Sequence, residues 1–475
     1  MSNNDQGGDV IDTIKADVAI IGTGPGGEGA AMMAAKNHLK PVVIERYRDV
    51  GGGCTHWGTI PSKGLRNAVE QLNEARHNRF VQHLRKEIPV SYPQLLHSAD
   101  TIIQAQVASR HRAYERNHVP IIEGDARFID PHTLEVSYQG SPTHRIQAAS
   151  FVVATGSRPY HPEGLDFTHP RIRDSDTILR YRENPRIITI FGAGVIGCEY
   201  ASIFANLGIK VNLVNTQDRL LSFMDQEITE ALSYHLRDQG VIMRHNEDFS
   251  HVEARENDVV LHLKSGRRLK SDALLWANGR TGNSAGMGLE AIGLEPNSRG
   301  QLTVNDNYQT ALPHIYAVGD VIGFPALASA AYDQGRFAVA HLLDPERDVP
   351  WVSDVPTGIY TIPEISSVGK TEQELAAEGV HYEVGHAWFK HLARAQMSNA
   401  TAGMLKIIFH ADTRQVLGVH CFGDRAAEIV HIGQAVMKLP NNPPQLDYFV
   451  NTTFNYPTMA EAYRVAALNG LNRLV

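Results

Sequence analysis

A strand, a glycine turn and a helix occur twice in this chain at matched spacing, and few folds accommodate that repeat. The first copy is ADVAIIGTGPGGEGAAMMAA, in which the apolar run Val18 to Ile21 reads as a buried parallel strand. Gly22, Gly24 and Gly27 then form GxGxxG ahead of an alanine-rich helix. The second copy is RIITIFGAGVIGCEYASIFA, with Gly192, Gly194 and Gly197. A second strand follows each. PVVIE ends on Glu45, 23 residues after Gly22, and VNLVN ends on Asn215, 23 residues after Gly192. Side chains at the glycine positions would hold a pyrophosphate away from the amides at the helix N-terminus, whose partial positive charge attracts it. A lone GxGxxG is often only a tight turn; two copies in the same strand, helix and strand setting predict two Rossmann-like dinucleotide-binding units in an α/β chain.

The 475 residues exceed what one hydrophobic core organises, so the chain divides into domains. FVVATGSRP (151–159) and LLWANGRTGN (274–283) each read as an apolar strand ending in a small-residue turn, and they flank the second copy. This pattern predicts an insertion. Residues 16–159 and 280–349 form one discontinuous domain, 160–279 a domain nested within it, and 1–15 a flexible tail. Residues 350–475 alternate short strands such as KIIFH and VLGVHCFG with helices, as an α+β domain does.

A net charge of -8 gives no basic footprint for nucleic acid. No apolar run reaches the roughly 18 residues that span a bilayer, and the polar N-terminus lacks a signal peptide's pattern, which together predict a cytoplasmic protein. Cys54, Cys198 and Cys421 are too few and too scattered for a disulfide framework. None of the 23 histidines falls into metal-ligand spacing within a coherent motif, so no metal is expected.

With GGGCTHWGTIPSK at 51–63, AVGD at 317–320 and YTIPEISSVG at 360–369 added to the two fingerprints, the chain resembles the flavin-dependent disulfide reductases over nearly all its length. The resemblance implies a FAD domain, an inserted NAD(P) domain and a C-terminal dimerisation domain, hence a homodimer or higher homo-oligomer with small-molecule nucleotide substrates. It assigns tightly bound FAD to Gly22, Gly24, Pro25, Gly26, Gly27, Glu45, Arg46, Gly52, Gly53, Cys54, Lys63, Gly156, Asp320 and the helix starting at Ala328. NAD(P) falls to Gly192, Gly194, Val195, Gly197, Glu199, Asn215, Arg219 and Gly279. Lys63 and Glu199 match residues that pair beside the flavin's reactive nitrogen.

The chain departs from the disulfide reductases in two places. Their second loop cysteine, separated from the first by four residues, is Thr59 here; their C-terminal histidine base is Tyr456, ahead of Glu461. A disulfide needs two sulfurs, and a thiolate needs a base or charge to lower its pKa. Electrons are therefore expected to leave the flavin by another route. The loop GGGCTHWGT and the segment from Phe449 to Leu474 look like those of members that move hydride from NADPH to NAD+, a transhydrogenase activity with Lys63, Glu199 and Glu461 at its centre. An acidic residue at 215 would repel the 2'-phosphate of NADP, and neutral Asn215 beside Arg219 suits both nucleotides. The alternatives are an NAD(P)H oxidase or diaphorase of the same fold and a catalytically silent flavin-binding sensor.

Overall fold

The computed structural model describes residues 11–78, 80, 90–346, 352 and 355–474. It divides into two compact units.

The first unit comprises Met1–Ser62, Ala99–Tyr160 and Arg280–Ser353. Its sheet runs Ile121–Glu123, Pro41–Glu45, Asp12–Ile21, Ser141–Val153, Thr133–Tyr138 and Asp125–Asp130, with Ile315–Ala317 also paired to Ser141–Val153. Asp12–Ile21 lies parallel to both its neighbours, as a strand feeding a crossover helix must. That strand begins at Asp12, so the tail expected over 1–15 is sheet from Asp12 onward; residues 1–10 lie outside the described residues. Helix Pro25–Lys36 packs against helix Ala328–Leu343 at a distance that only glycine allows. A Cβ on Gly29 would stand 2.2 Å from the Tyr332 carbonyl oxygen, and one on Gly335 2.0 Å from that of Gly26. The two linkers read from the sequence, Ser157–Pro159 and Arg280–Gly282, pair antiparallel with each other.

The second unit comprises Lys63–Ser98, His161–Gly279 and Asp354–Val475. Its nucleotide sheet is fully parallel, in the order Ile242–Arg244, Lys210–Val214, Ile187–Phe191, Ala273–Trp276, Ile172–Asp174. Helices Val195–Asn206 and Gln226–Asp238 cover one face. An antiparallel meander of Phe249–Ala254, Val259–Leu263 and Arg268–Ser271 covers the other, where Phe191 stacks on Trp276 at 4.4 Å. The C-terminal segment forms a five-stranded antiparallel sheet, Thr357–Ile359, Glu364–Gly369, Val416–Gly423, Gly403–His410 and Tyr382–Trp388. Ile359, Ile365, Met404 and Phe422 from that sheet share one core with Ile188, Ala201 and Phe204 of the nucleotide fold. No helix among the described residues is long and apolar enough to cross a membrane.

Candidate functional site

Both glycine turns have the same physical layout. Gly22 has φ +107°, and a Cβ there would lie 2.5 Å from the Ala154 carbonyl oxygen. One on Gly27 would lie 1.9 Å from the Gly22 oxygen. In the second copy Gly192 has φ +108° and would meet the Ala277 oxygen at 2.5 Å, while Gly197 would meet the Gly192 oxygen at 1.8 Å. The outer glycines are thus required by the fold itself. The middle ones are not: a Cβ on Gly24 or Gly194 would meet no atom within 4 Å. Each is the N-cap of its helix, and neither helix start is capped by a side chain. Pro25 and Val195 follow at the first helical position. Open space over a glycine, facing uncapped amides at a helix N-terminus, is the shape a pyrophosphate fills, so both copies fit a dinucleotide.

The copies differ where the second strand ends. Glu45 is buried, and its Oε2 accepts from the Thr23 backbone N–H at 2.9 Å and from the Thr23 hydroxyl at 2.5 Å. Its Oε1 accepts from the Tyr47 N–H at 3.2 Å. Thr23 Oγ1 in turn accepts from the Gly51 N–H at 3.0 Å, tying the carboxylate to the loop of Gly52, Gly53 and Cys54. Asn215, also buried, has Ala193 in place of that threonine. Its Nδ2 donates to the Arg219 carbonyl at 2.7 Å, and its Oδ1 accepts from Gln217 N–H at 3.3 Å.

Further residues of the first unit fall into place as follows. Asp320 accepts from the Ser157 hydroxyl at 2.7 Å, and Arg280 holds Ser157 through its Oγ at 2.7 Å and its carbonyl at 2.8 Å. Ala328 opens a helix of 16 residues whose N-terminus no side chain caps. Gly52, at φ +57°, packs on the Gly24 Cα, and Gly156, at φ +69°, faces open space. Gly26 is a packing position, 3.0 Å from a Val318 methyl by its missing Cβ, and Arg46 pairs on the surface with Asp125 at 3.1 Å. In the second unit Gly279 has φ +98°.

Lys63 and Glu199, 136 positions apart, meet as the sequence motifs imply. Lys63 Nζ lies 2.9 and 2.8 Å from the two carboxylate oxygens, with Glu199 buried and Lys63 partly exposed. Sequence reasoning did not foresee the third member. The Tyr360 N–H donates to Glu199 Oε1 at 2.9 Å, and the Tyr360 ring lies 5.0 Å from Lys63 Nζ. The rest of YTIPE stitches the same two helices. Thr361 O accepts from Arg66 at 3.3 Å, Ile362 N–H donates to Ser202 Oγ at 2.8 Å, and Glu364 pairs with Arg66 at 3.1 Å. The motif's presence was the available signal; its role as a clamp arises only where the fold brings the two helices together.

Cys198 and Cys421 are buried, which pushes both thiols up and leaves them inert. Cys54 sits in the short helix Gly52–His56, and Thr59 begins the next. Tyr456 is 70% exposed, and Glu461 opens the last helix. Three carboxylates that the sequence did not bring together, those of Asp225, Glu227 and Glu372, converge in the second unit. Lys406, fully buried, pairs with Asp225 at 2.8 Å, with Glu227 at 3.0 Å and with Glu372. The cluster is an internal ion network with its cation built in.

Residues 16–335 match the pyridine nucleotide-disulphide oxidoreductase family, and 355–467 match that family's dimerisation domain. The chain is 58% identical over 458 residues to a soluble pyridine nucleotide transhydrogenase of Enterobacter sp. (strain 638), covering 96% of this chain and 98% of that one. It is 59% identical, with the same coverage, to the protein of that name from Yersinia pestis (strain Pestoides F). Among solved structures it resembles the HOCl-induced flavoprotein disulfide reductase RclA from Escherichia coli, with TM-score 0.85, 27% identity and coverage of 95% and 99%. LpdA from Mycobacterium tuberculosis gives TM-score 0.86 and 25% identity over 97% of this chain and all of that one. Twin dinucleotide cradles, an appended dimerisation module and relatives matched end to end make this chain a member of the pyridine nucleotide-disulphide oxidoreductase family.

Proposed function

We propose that the protein is an FAD-dependent NAD(P)+ transhydrogenase of the Si-specific type, taking hydride from NADPH and delivering it to NAD+ by a ping-pong sequence at one nicotinamide site, as a cytoplasmic homodimer or larger homo-oligomer. The observation that carries this reading is the pairing of two complete dinucleotide cradles with a loop that has no second sulfur, since Thr59 stands where the partner of Cys54 would be. Bound FAD supplies the hydride relay. The chain's residues hold and tune it. Gly22, Gly24 and Gly27 leave room for its pyrophosphate, Glu45 offers a braced carboxylate to ribose hydroxyls, and Asp320 offers one to the ribityl chain. The uncapped start of the helix at Ala328 presents amide dipoles to negative charge on the reduced ring. Lys63, fixed by Glu199 and Tyr360, supplies a cation whose position does not wander. Gly192, Gly194 and Gly197 receive NADPH and NAD+ in turn, and neutral Asn215 repels neither. Soluble pyridine nucleotide transhydrogenase is also the name carried by relatives close to 60% identical.

Anaerobic titration tests the reading. NADPH should bleach the flavin, and NAD+ added after removal of NADP+ should restore its colour; lipoamide and glutathione disulfide should not be reduced. A flavin that NADPH leaves coloured overturns the proposal in favour of a silent binding protein. Oxygen uptake matching NADPH oxidation in air, with no transfer to NAD+, overturns it in favour of an oxidase.

A further inference from the structure

Beside the strand that ends at Asn215 stands an arginine whose Nε has no hydrogen-bond partner among the described residues. Arg244 closes strand Ile242–Arg244 in register with Val214, and its carbonyl accepts from the Asn215 N–H at 2.8 Å. Its Nε is shut off from solvent with no hydrogen-bond acceptor, and it forms no ion pair among the described residues. Buried guanidinium N–H groups are rarely left so, because the desolvated donor is costly until an acceptor arrives. The surroundings favour an anion. His245 Nδ1 lies 3.4 Å from Asn215 Nδ2; burial first, and then the Arg237 charge, push its imidazole toward the neutral form against the opposing pull of Asp218. Arg219 spends its guanidinium on neutral acceptors, Ser222 O at 3.0 Å and Gln226 Oε1 at 3.4 Å. Glu247, the nearby buried carboxylate, faces Arg267 at 3.5 Å.

Building on the transhydrogenase reading, we propose that Arg244 binds the 2'-phosphate of NADP(H), while Asn215 serves the 2'-hydroxyl of NAD(H). A guanidinium matches phosphate bidentately, and the orphaned Nε is one tine of that fork. The division of labour explains how one pocket accepts both nucleotides. Affinity for the phosphate comes from the neighbouring strand, so the strand-end residue need not be cationic. An NAD molecule lacking the phosphate leaves Arg244 as it stands in the free protein.

The test is calorimetric titration of the flavin-loaded protein with 2',5'-ADP and with 5'-AMP, which carry the adenosine end alone. Arg244→Gln should weaken 2',5'-ADP roughly tenfold to hundredfold and leave 5'-AMP within about twofold, with Arg244→Lys intermediate. Unchanged flavin content and melting temperature certify that the variants fold. Equal weakening of both analogues means a structural role and overturns the proposal. So does tight 2',5'-ADP binding that survives the substitution. A wild-type protein that binds 2',5'-ADP no better than 5'-AMP fails at the underlying NADP reading instead.

Discussion

The two glycine cradles are nearly superimposable in their constraints and opposite in their ends. In both, the outer glycines avoid carbonyl oxygens that a Cβ would strike, and the middle glycine faces open space. At the strand end one copy presents a buried carboxylate held by three hydrogen-bond donations and linked to the next loop through Thr23. The other has lost that threonine to Ala193, and its Asn215 turns inward to brace its own turn. On the proposed assignment, backbone geometry makes the pyrophosphate site, whereas the strand-end side chain and its bracing decide how firmly and which ribose is gripped. A rigid carboxylate suits a resident cofactor; a neutral amide suits substrates that exchange.

Several substitutions would break or sharpen this contrast. The largest effect belongs to the second copy's anchor, the Lys406 network at the start of helix Gln226–Asp238. Lys406→Met leaves buried Asp225 uncompensated and should cost about 3–5 kcal/mol in chemical unfolding of that unit. A loss below about 1 kcal/mol would mean that the network is not an anchor. The same network predicts a pH response. The His386 hydrogen bond, and behind it that of Lys406, hold Glu227 down at about 2 against its ordinary value of 4.5. A carboxylate lowered in the folded state stabilises fully above its unfolded pKa, and the contribution is lost as pH falls from about 4.5 toward about 2. Melting curves should show Glu227→Gln flattening this acid limb relative to the parent protein.

Next in size are the middle glycines. Gly24→Val should fold but lose flavin, and Gly194→Val should keep flavin yet be reduced by NADPH roughly a hundredfold more slowly, because each methyl pair fills a pyrophosphate site. The ratio of visible to ultraviolet absorbance and the rate of bleaching read the two outcomes. The reverse pattern would exchange the cofactor assignments of the two copies.

Asn215→Glu should make the second strand end resemble the first. A carboxylate beside the 2'-phosphate costs on the order of 1–3 kcal/mol with partial screening, so the preference for NADPH over NADH should fall roughly tenfold to hundredfold, more at low salt. An unchanged preference would remove Asn215 from the ribose site. The smallest change is expected of Cys54→Ser, which should keep hydride exchange within about tenfold, since the proposed route passes hydride through the flavin without a sulfur step. Complete loss with normal flavin content would assign chemistry to that thiol.

The repeat and its spacing were legible because glycine requirements and buried parallel strands leave local marks. The missing second sulfur was legible too, since a disulfide is a matter of composition. Thr23 bracing Glu45, Tyr360 closing on Lys63 and Lys406 among three carboxylates were not, because each joins residues with no fixed spacing between them. The tail was misjudged at Asp12–Lys15, where polar and apolar residues alternate on an outer stretch of strand; pairing with Ser141–Val153 settles their state, and no local propensity reveals it. What the sequence determined by itself was the pair of cradles and the replacement of the second loop cysteine by Thr59, because turns, caps and the identity of a loop residue are local. Tertiary structure alone decided which side chains brace those cradles and left Arg244 with a buried donor that no described residue accepts from, because burial and charge pairing depend on segments that only folding brings side by side.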